Sequence, residues 1–167
     1  MAELILIVED EPDLVKTLEY NLQREGYQTR SALDGQTGMK RAALEPIPDL
    51  ILLDLMLPDI SGIEVCRRLK PAAPTKEVPV LMHTPKGEEI DRGVGFEVGA
   101  DDYVVKPFSV RELLLRIKAI LRRVHADGTL TKDYIHVEAL LVKRGTWQIL
   151  MEYQKSKGTE QEWNALP

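Results

Sequence analysis

Residues 50–54 read LILLD, an uninterrupted apolar run that ends in a carboxylate. Consecutive apolar residues without alternation are typical of a parallel strand that is covered on both faces of its sheet. A carboxylate directly after such a strand is costly to bury unless it is paired or bound to a metal ion. The stretch therefore predicts a buried strand and marks Asp54 as a candidate functional residue.

Further apolar runs alternate with amphipathic stretches on both sides of this strand. The predicted strands are Leu4 to Val8, Tyr27 to Ser31, Leu50 to Leu53, Val80 to Met82 and Tyr103 to Val105. Helices are predicted from Pro12 to Glu25 and from Asp34 to Leu44, and S-x-x-E capping boxes at Ser61 and Ser109 begin two more. Repeated alternation of strand and helix predicts a doubly wound α/β domain with a five-stranded parallel sheet over residues 1–124.

Polar residues follow the predicted strands at the ends where a doubly wound sheet binds its ligand. They are Glu9, Asp10 and Glu11 after the first strand, Asp54 after the third, Thr84 after the fourth and Lys106 after the fifth. Converging carboxylates favour Mg²⁺, and a hydroxyl with an ammonium suits a phosphoryl group that an Asp carboxylate can accept as nucleophile. Taken singly, the acids after the first strand are typical helix caps, Thr84 is a typical turn residue and Lys106 a typical solvated one.

Four motifs in order resemble the receiver domain of two-component response regulators. They are Val8-Glu9-Asp10-Glu11, Asp54-Leu55-Met56-Leu57-Pro58, Thr84, and Gly99-Ala100-Asp101-Asp102-Tyr103 with Lys106-Pro107-Phe108. Their spacing is 44 residues from Asp10 to Asp54, 30 from Asp54 to Thr84 and 22 from Thr84 to Lys106. The resemblance covers about residues 3–124 and implies a flavodoxin-like sheet of strand order 2-1-3-4-5.

The resemblance implies a role for each residue of the predicted site. Asp54 is the implied phosphoacceptor, phosphorylated by a sensor histidine kinase, with Thr84 as the switch hydroxyl and Lys106 as the phosphate-binding cation. Mg²⁺ is implied at Glu9, Asp10, Asp54 and the backbone carbonyl of Met56. Tyr103 is expected to turn inward on phosphorylation. The chain is not expected to be an enzyme, because it takes the phosphoryl group onto its own Asp and loses it slowly.

A closer resemblance, to the OmpR/PhoB-like transcription factors, is carried by residues 87–92, 100–103 and 111–117. Receivers of that subfamily dimerise through the fourth helix, fifth strand and fifth helix, which implies a homodimer through the same surface here. The residues implied on that surface are Arg92, Asp101, Asp102, Glu112, Leu115, Arg116 and Arg123. Without the resemblance, the charges fit a solvated helix with i to i+4 pairs such as Glu112 with Arg116.

The composition of the 167 residues is that of a folded protein and narrows the possible partners. With 22 Lys and Arg against 27 Asp and Glu, the net charge of -5 argues against binding nucleic acid by overall charge. Cys66 is the single cysteine, so no intrachain disulfide can form. The N-terminus does not resemble a signal peptide, and no apolar run approaches membrane-spanning length. We therefore expect a soluble cytoplasmic protein with no membrane contact.

Residues 125–167 are expected to form a short C-terminal extension, because a winged-helix domain needs roughly 100 residues. Short strands are predicted about a turn at Lys143-Arg144-Gly145, and five basic against six acidic residues leave no basic footprint. The extension could be a truncated or divergent start of a winged-helix domain, an artefact of where the chain was cut, or an interaction element. We expect no specific DNA binding by this chain alone.

Two functions remain open on the sequence. One is a receiver whose complete parent controls transcription; the other is a stand-alone or altered receiver that acts only through protein contacts. Residues 71–95 depart from the usual receiver pattern: His83 and Pro85 flank Thr84, and Gly93 joins Gly95 in the predicted fourth helix. Each interior glycine costs about 1 kcal/mol relative to Ala, which predicts a soft switch helix. A lone His is more typical of a satisfied structural residue than of a ligand, so His83 is predicted to be structural.

Overall fold

The five predicted strands form one parallel sheet in the computed structural model, which describes residues 2–85 and 97–125. The strands are β1 (Leu4–Val8), β2 (Gln28–Ala32), β3 (Leu50–Asp54), β4 (Val80–Pro85) and β5 (Asp102–Lys106). Their order is β2-β1-β3-β4-β5, and every neighbouring pair is parallel. The predicted strand order 2-1-3-4-5 is therefore confirmed.

Over the described residues, helices follow β1, β2, β3 and β5. They are α1 (Pro12–Arg24), α2 (Gly35–Ala42), α3 (Gly62–Leu69) and α4 (Val110–His125). The last is the fifth helix of the sequence prediction, since the predicted fourth falls on residues 86–96. Both predicted helix starts are confirmed, and each is capped by its serine: Ser61 Oγ accepts from the Glu64 N–H at 3.2 Å and Ser109 Oγ from the Glu112 N–H at 3.1 Å.

Some sequence predictions lie outside the described residues. They concern Arg92, Gly93 and Gly95 of the predicted fourth helix, and the C-terminal extension from residue 126 onward. Within residues 2–85 and 97–125, no helix combines the length and the apolar character that crossing a bilayer requires.

The core lies on both faces of the sheet, and the strands divide their side chains between two clusters. Leu6, Val8, Ile51 and Leu53 belong to one cluster, and their neighbours Ile5, Ile7, Leu50 and Leu52 belong to the other. This division follows from the two-residue repeat of a strand, which points successive side chains to opposite faces. All five residues of β3 are buried, as predicted, so the position of its last residue is fixed by packing on both sides.

The strands differ from the predicted ones at their ends. β4 and β5 continue past their apolar runs: Thr84 pairs with Val105, and Pro85 pairs with Lys106. A ladder of backbone hydrogen bonds does not depend on apolar side chains, which is why the apolar pattern ended too early. The consequence for function is that Thr84 and Lys106 are held by the sheet itself. β2 begins and ends one residue later than predicted; it is an edge strand, so its partly exposed side chains give a weaker pattern.

Candidate functional site

Three charged side chains meet at the carboxyl edge of the sheet. Glu9 directly follows β1, Asp54 ends β3 and Lys106 ends β5. The Lys106 ammonium donates to Glu9 Oε2 at 2.9 Å and to Asp54 Oδ2 at 3.3 Å. Glu11 is a more distant neighbour, with its Oε1 3.9 Å from Lys106 Nζ. The structure thus brings together two carboxylates and one cation that lie up to 97 residues apart in the chain.

The two carboxylates are removed from water. Glu9 is 0% exposed and Asp54 is 2% exposed, whereas the Lys106 side chain keeps 19% of its surface. Burial raises the pKa of Glu9, and the negative charge of Asp54 adds to the rise against the opposing effects of the Glu11 N–H and Lys106. Burial also raises the pKa of Asp54, although the Met56 N–H and Lys106 oppose it. Among the described residues, two buried carboxylates therefore face one ammonium, that of Lys106.

Asp54 is oriented by the loop that follows it. Its Oδ1 accepts a hydrogen bond from the Met56 N–H at 3.1 Å, while Oδ2 faces Lys106. The Leu55 N–H donates to the His83 carbonyl, and the Gly62 N–H donates to the Leu55 carbonyl at 2.8 Å. These backbone bonds tie the loop to β4 and to the first residue of α3, so Asp54 is presented in one orientation.

The remaining predicted ligands and switch residues differ in their exposure. Thr84 is 1% exposed at the end of β4, on the same edge of the sheet. Asp10 is exposed and does not join Glu9 and Asp54 in the one group of potential metal ligands formed by the described residues. Met56 is 55% exposed, and its N–H is the group that contacts Asp54. The structure therefore brings Glu9, Asp54 and Lys106 together, with Thr84 buried on the same edge of the sheet and Asp10 exposed beside Glu9.

Tyr103 lies inward in the structure. Its side chain is 3% exposed and belongs to the hydrophobic cluster that includes Leu69 and Ala100. The ring fills part of the core between the sheet and α3, and its rotation on phosphorylation stays a prediction. Whether Tyr103 and Thr84 move together remains a prediction.

His83 is the residue that sequence reasoning misjudged. It is 0% exposed, and neither ring nitrogen has a hydrogen-bond partner among the described residues. Its Nδ1 lies 3.4 Å from Glu9 Oε2, and its ring meets Phe108 edge to face with centroids 5.8 Å apart. Burial lowers the pKa of His83 to about 3, so its imidazole is neutral. The prediction of a satisfied structural histidine is wrong, since the polar atoms of the ring are not satisfied. The pairing of strand ends could have placed it, because His83 is the register partner of Asp54.

The predicted dimer surface is partly an internal network. Asp102 is 0% exposed, and its Oδ2 accepts from Arg116 Nη1 at 2.8 Å. Its expected place on an exposed surface is therefore wrong, because a buried carboxylate requires an internal cation. Arg116 also pairs with Glu112 at 3.0 Å, the i to i+4 pair that a solvated helix predicts.

The other predicted surface residues differ in exposure. Asp101 Oδ2 pairs with Lys70 Nζ at 3.3 Å and accepts from the Val80 N–H at 2.9 Å. Arg123 is partly buried, with the charges of Asp101 and Asp102 acting on it. Leu115, in contrast, is 59% exposed on α4, so it is an apolar side chain available for contact.

Comparison with known proteins agrees with this geometry. The sequence profile described as "Response regulator receiver domain" matches residues 5–118. The chain is 51% identical over 123 residues to PhoP of Bacillus subtilis, an alkaline phosphatase synthesis transcriptional regulatory protein; the match covers 74% of this chain and 50% of PhoP. It is 40% identical over 162 residues to the response regulator ArlR of Staphylococcus aureus, covering 97% of this chain and 70% of ArlR.

A solved structure shares the fold over the same region. The response regulator DrrB, described as a Thermotoga maritima OmpR/PhoB homolog, matches with a TM-score of 0.65 and 36% identity. That match covers 74% of this chain and 54% of DrrB. The chain thus spans about half the length of PhoP and a larger share of ArlR, and the ArlR alignment continues beyond α4.

Proposed function

The chain belongs to the response regulator receiver domain family, and we therefore propose that Asp54 accepts a phosphoryl group from a sensor histidine kinase. Receiver domains of this family are components of two-component signal transduction and interact with such kinases. The observation that carries the proposal for this residue is the buried Asp54 carboxylate at the edge of the sheet, 3.3 Å from the Lys106 ammonium. Asp54 is a nucleophile held in a dry site beside a positive charge.

The proposed reaction is an exchange of one phosphoryl bond for another. An Asp54 carboxylate oxygen attacks the phosphorus, the new O–P bond forms, and the P–N bond of the kinase phosphohistidine breaks with its electron pair returning to the imidazole. Oδ1 accepts from the Met56 N–H and Oδ2 from Lys106. Oδ2 is the proposed attacking atom, because the phosphoryl group then lies beside the Lys106 ammonium. Lys106 then neutralises charge on the phosphoryl oxygens, and the Thr84 hydroxyl donates to one of them.

The donor set fits Mg²⁺. Glu9 and Asp54 are carboxylates whose pKa values are raised by burial, and hard oxygen ligands suit this ion. Glu9, Asp54 and the Met56 carbonyl would hold it, with Asp10 added from the rim. When bound, Mg²⁺ supplies positive charge to the carboxylates and the phosphoryl oxygens. The receiver is not an enzyme in the usual sense, and we propose only a slow loss of its own phosphoryl group.

Labelling with a small phosphodonor tests the proposal. We expect acid-labile phosphate on the wild-type chain in the presence of Mg²⁺ and none on Asp54→Asn. Asp49→Asn is the matched control, since it makes the same chemical change. Asp49 directly precedes the first residue of β3, and its carboxylate accepts from the Leu4 N–H at 2.7 Å. Equal labelling of wild type and Asp54→Asn would contradict the assignment.

We propose that the complete protein controls transcription and that residues 125–167 begin its effector region. The names of PhoP and ArlR, and an ArlR alignment that extends past α4, support this. This chain alone is expected not to bind DNA specifically, because the extension carries five basic and six acidic residues and no basic stripe. Salt-sensitive retention of one promoter duplex over a scrambled one by residues 1–167 would contradict that expectation.

We propose that phosphorylation promotes a homodimer through β5, α4 and the segment between β4 and β5. Leu115 supports this, since a leucine that is 59% exposed on α4 gains by being covered. The same surface would serve a receiver that acts only through protein contacts. Sizing by light scattering with a phosphoryl mimic is expected to show a dimer that Leu115→Glu weakens, with Leu44→Glu as control because Leu44 is similarly exposed just after α2.

A further inference from the structure

We propose that His83 joins Glu9 and Asp54 in a mixed nitrogen and oxygen site that binds a late first-row divalent metal ion, such as Co²⁺, Ni²⁺ or Zn²⁺, more tightly than Mg²⁺. The inference rests on the proposed function, because it concerns the metal held beside the phosphoacceptor. It assigns a role to His83, a buried polar side chain at this edge of the sheet that the proposed phosphoryl transfer does not use.

The geometry places three ligand atoms around one point. One ligand atom from each of Glu9, Asp54 and His83 lies within 4.8 Å of the other two. His83 and Asp54 are register partners on β4 and β3, and Glu9 follows β1 on the other side of β3. Backbone ladders therefore fix all three positions, which limits the rearrangement that metal binding would require.

The His83 imidazole has the properties expected of a metal ligand. It is 0% exposed, both of its nitrogens lack hydrogen-bond partners among the described residues, and Nδ1 lies 3.4 Å from Glu9 Oε2. A buried polar atom without a partner is costly, so its retention calls for a partner that the folded chain does not itself supply. The edge contact with Phe108 holds the ring in place, and the neutral form of the imidazole is the form that binds metals.

Ligand type then determines which ion the site prefers. Mg²⁺ takes oxygen ligands almost exclusively, whereas imidazole suits Co²⁺, Ni²⁺, Cu²⁺ and Zn²⁺. Adding one nitrogen to two carboxylates therefore shifts preference toward the later metals of the first row. Lys106 occupies the same region, with Nζ 2.9 Å from Glu9, and an entering dication replaces it as the counter-charge. Its side chain reaches solvent, which allows the ammonium to withdraw without being buried unpaired.

Cobalt binding tests the inference directly on the full chain. Co²⁺ is titrated while its visible absorption is recorded, and Mg²⁺ affinity is measured by competition. We expect His83→Val to lower the ratio of Co²⁺ to Mg²⁺ affinity by about tenfold or more. The double variant His125→Gln/His136→Gln removes the other two histidines and is the control, expected to leave that ratio unchanged.

A second measurement does not depend on the folding of a variant. Proton NMR of the wild-type chain with Co²⁺ is expected to show strongly shifted imidazole resonances, which are absent with Mg²⁺. No shifted imidazole resonance, or shifted resonances that vanish in His125→Gln/His136→Gln, would overturn the inference, as would an unchanged affinity ratio in a folded His83→Val chain. Labelling of wild type in Mg²⁺ is measured in parallel: its absence refutes the proposed function, whereas its presence without cobalt coordination refutes only this inference.

Discussion

Replacing Gly62 with Ala is expected to damage the phosphoacceptor site more than the fold. A Cβ at position 62 would lie 2.2 Å from the Asp54 carbonyl oxygen and 2.8 Å from Leu55 Cα, and both are backbone atoms. Real Cβ contacts are essentially never shorter than 3.0 Å, so either α3 or the end of β3 must move by most of an ångström. β3 is buried on both faces, and the loop after it is the softer part.

The expected magnitude follows from this displacement. Overpacking of this kind costs about 1–3 kcal/mol of stability. A misplacement of about 1 Å at a reacting group can lower a rate by about 100-fold, so we expect phosphoryl transfer to Asp54 to slow by roughly 10-fold to 100-fold. Urea unfolding measures the first effect, and the initial rate of labelling by a small phosphodonor measures the second.

Gly26→Ala is the matched control. Gly26 has a φ of 92° after α1, with open space where its Cβ would be. Alanine there costs about 1–2 kcal/mol through its backbone alone, and the site is not touched. Both variants should therefore lose comparable stability, but only Gly62→Ala should lose labelling rate. A Gly62→Ala chain that is labelled as fast as Gly26→Ala would refute the argument that this glycine positions Asp54.

Two further predictions concern buried charge. Burial raises the pKa of Glu9 to about 7. Without divalent cations, the stability that protonated Glu9 contributes is therefore fully present below the ordinary Glu pKa and is lost as pH rises through about 7. Urea unfolding midpoints in a chelator should fall over that pH range, and Glu9→Gln should flatten the plot of midpoint against pH. Arg116→Met leaves the Asp102 carboxylate buried without its cation and should cost about 3 kcal/mol in urea unfolding, of which Asp102→Asn in the same chain should recover a large part.

Much of the fold could be predicted because buried parallel strands are continuous apolar runs. β1 was placed to the residue, and β3 was extended by one residue at Asp54. The ends of β4 and β5 could not be placed in this way, since Thr84 and Lys106 are polar residues held by backbone pairing. The apolar pattern depends on side chains, whereas the hydrogen-bond ladder between strands is formed by the main chain.

The site residues could be predicted where the position of a residue at a strand end determines which other residues lie close to it. Carboxyl ends of parallel strands share one edge, so Glu9, Asp54 and Lys106 had to meet. His83 was misjudged because satisfaction of a ring nitrogen depends on atoms from three strands and cannot be read locally. Asp102 was placed on the dimer surface by the resemblance to the OmpR/PhoB-like subfamily, but its burial depends on Arg116, fourteen residues later.

Mapping the phosphoryl group tests the central claim most directly. Borohydride reduces an aspartyl phosphate to homoserine, which identifies the modified residue in a peptide mass spectrum. After labelling in Mg²⁺, we expect homoserine at position 54 in wild type and at no position in Asp54→Asn. Homoserine at another acid of the site, such as Asp10, or phosphate that resists reduction and maps to His83, would contradict the account.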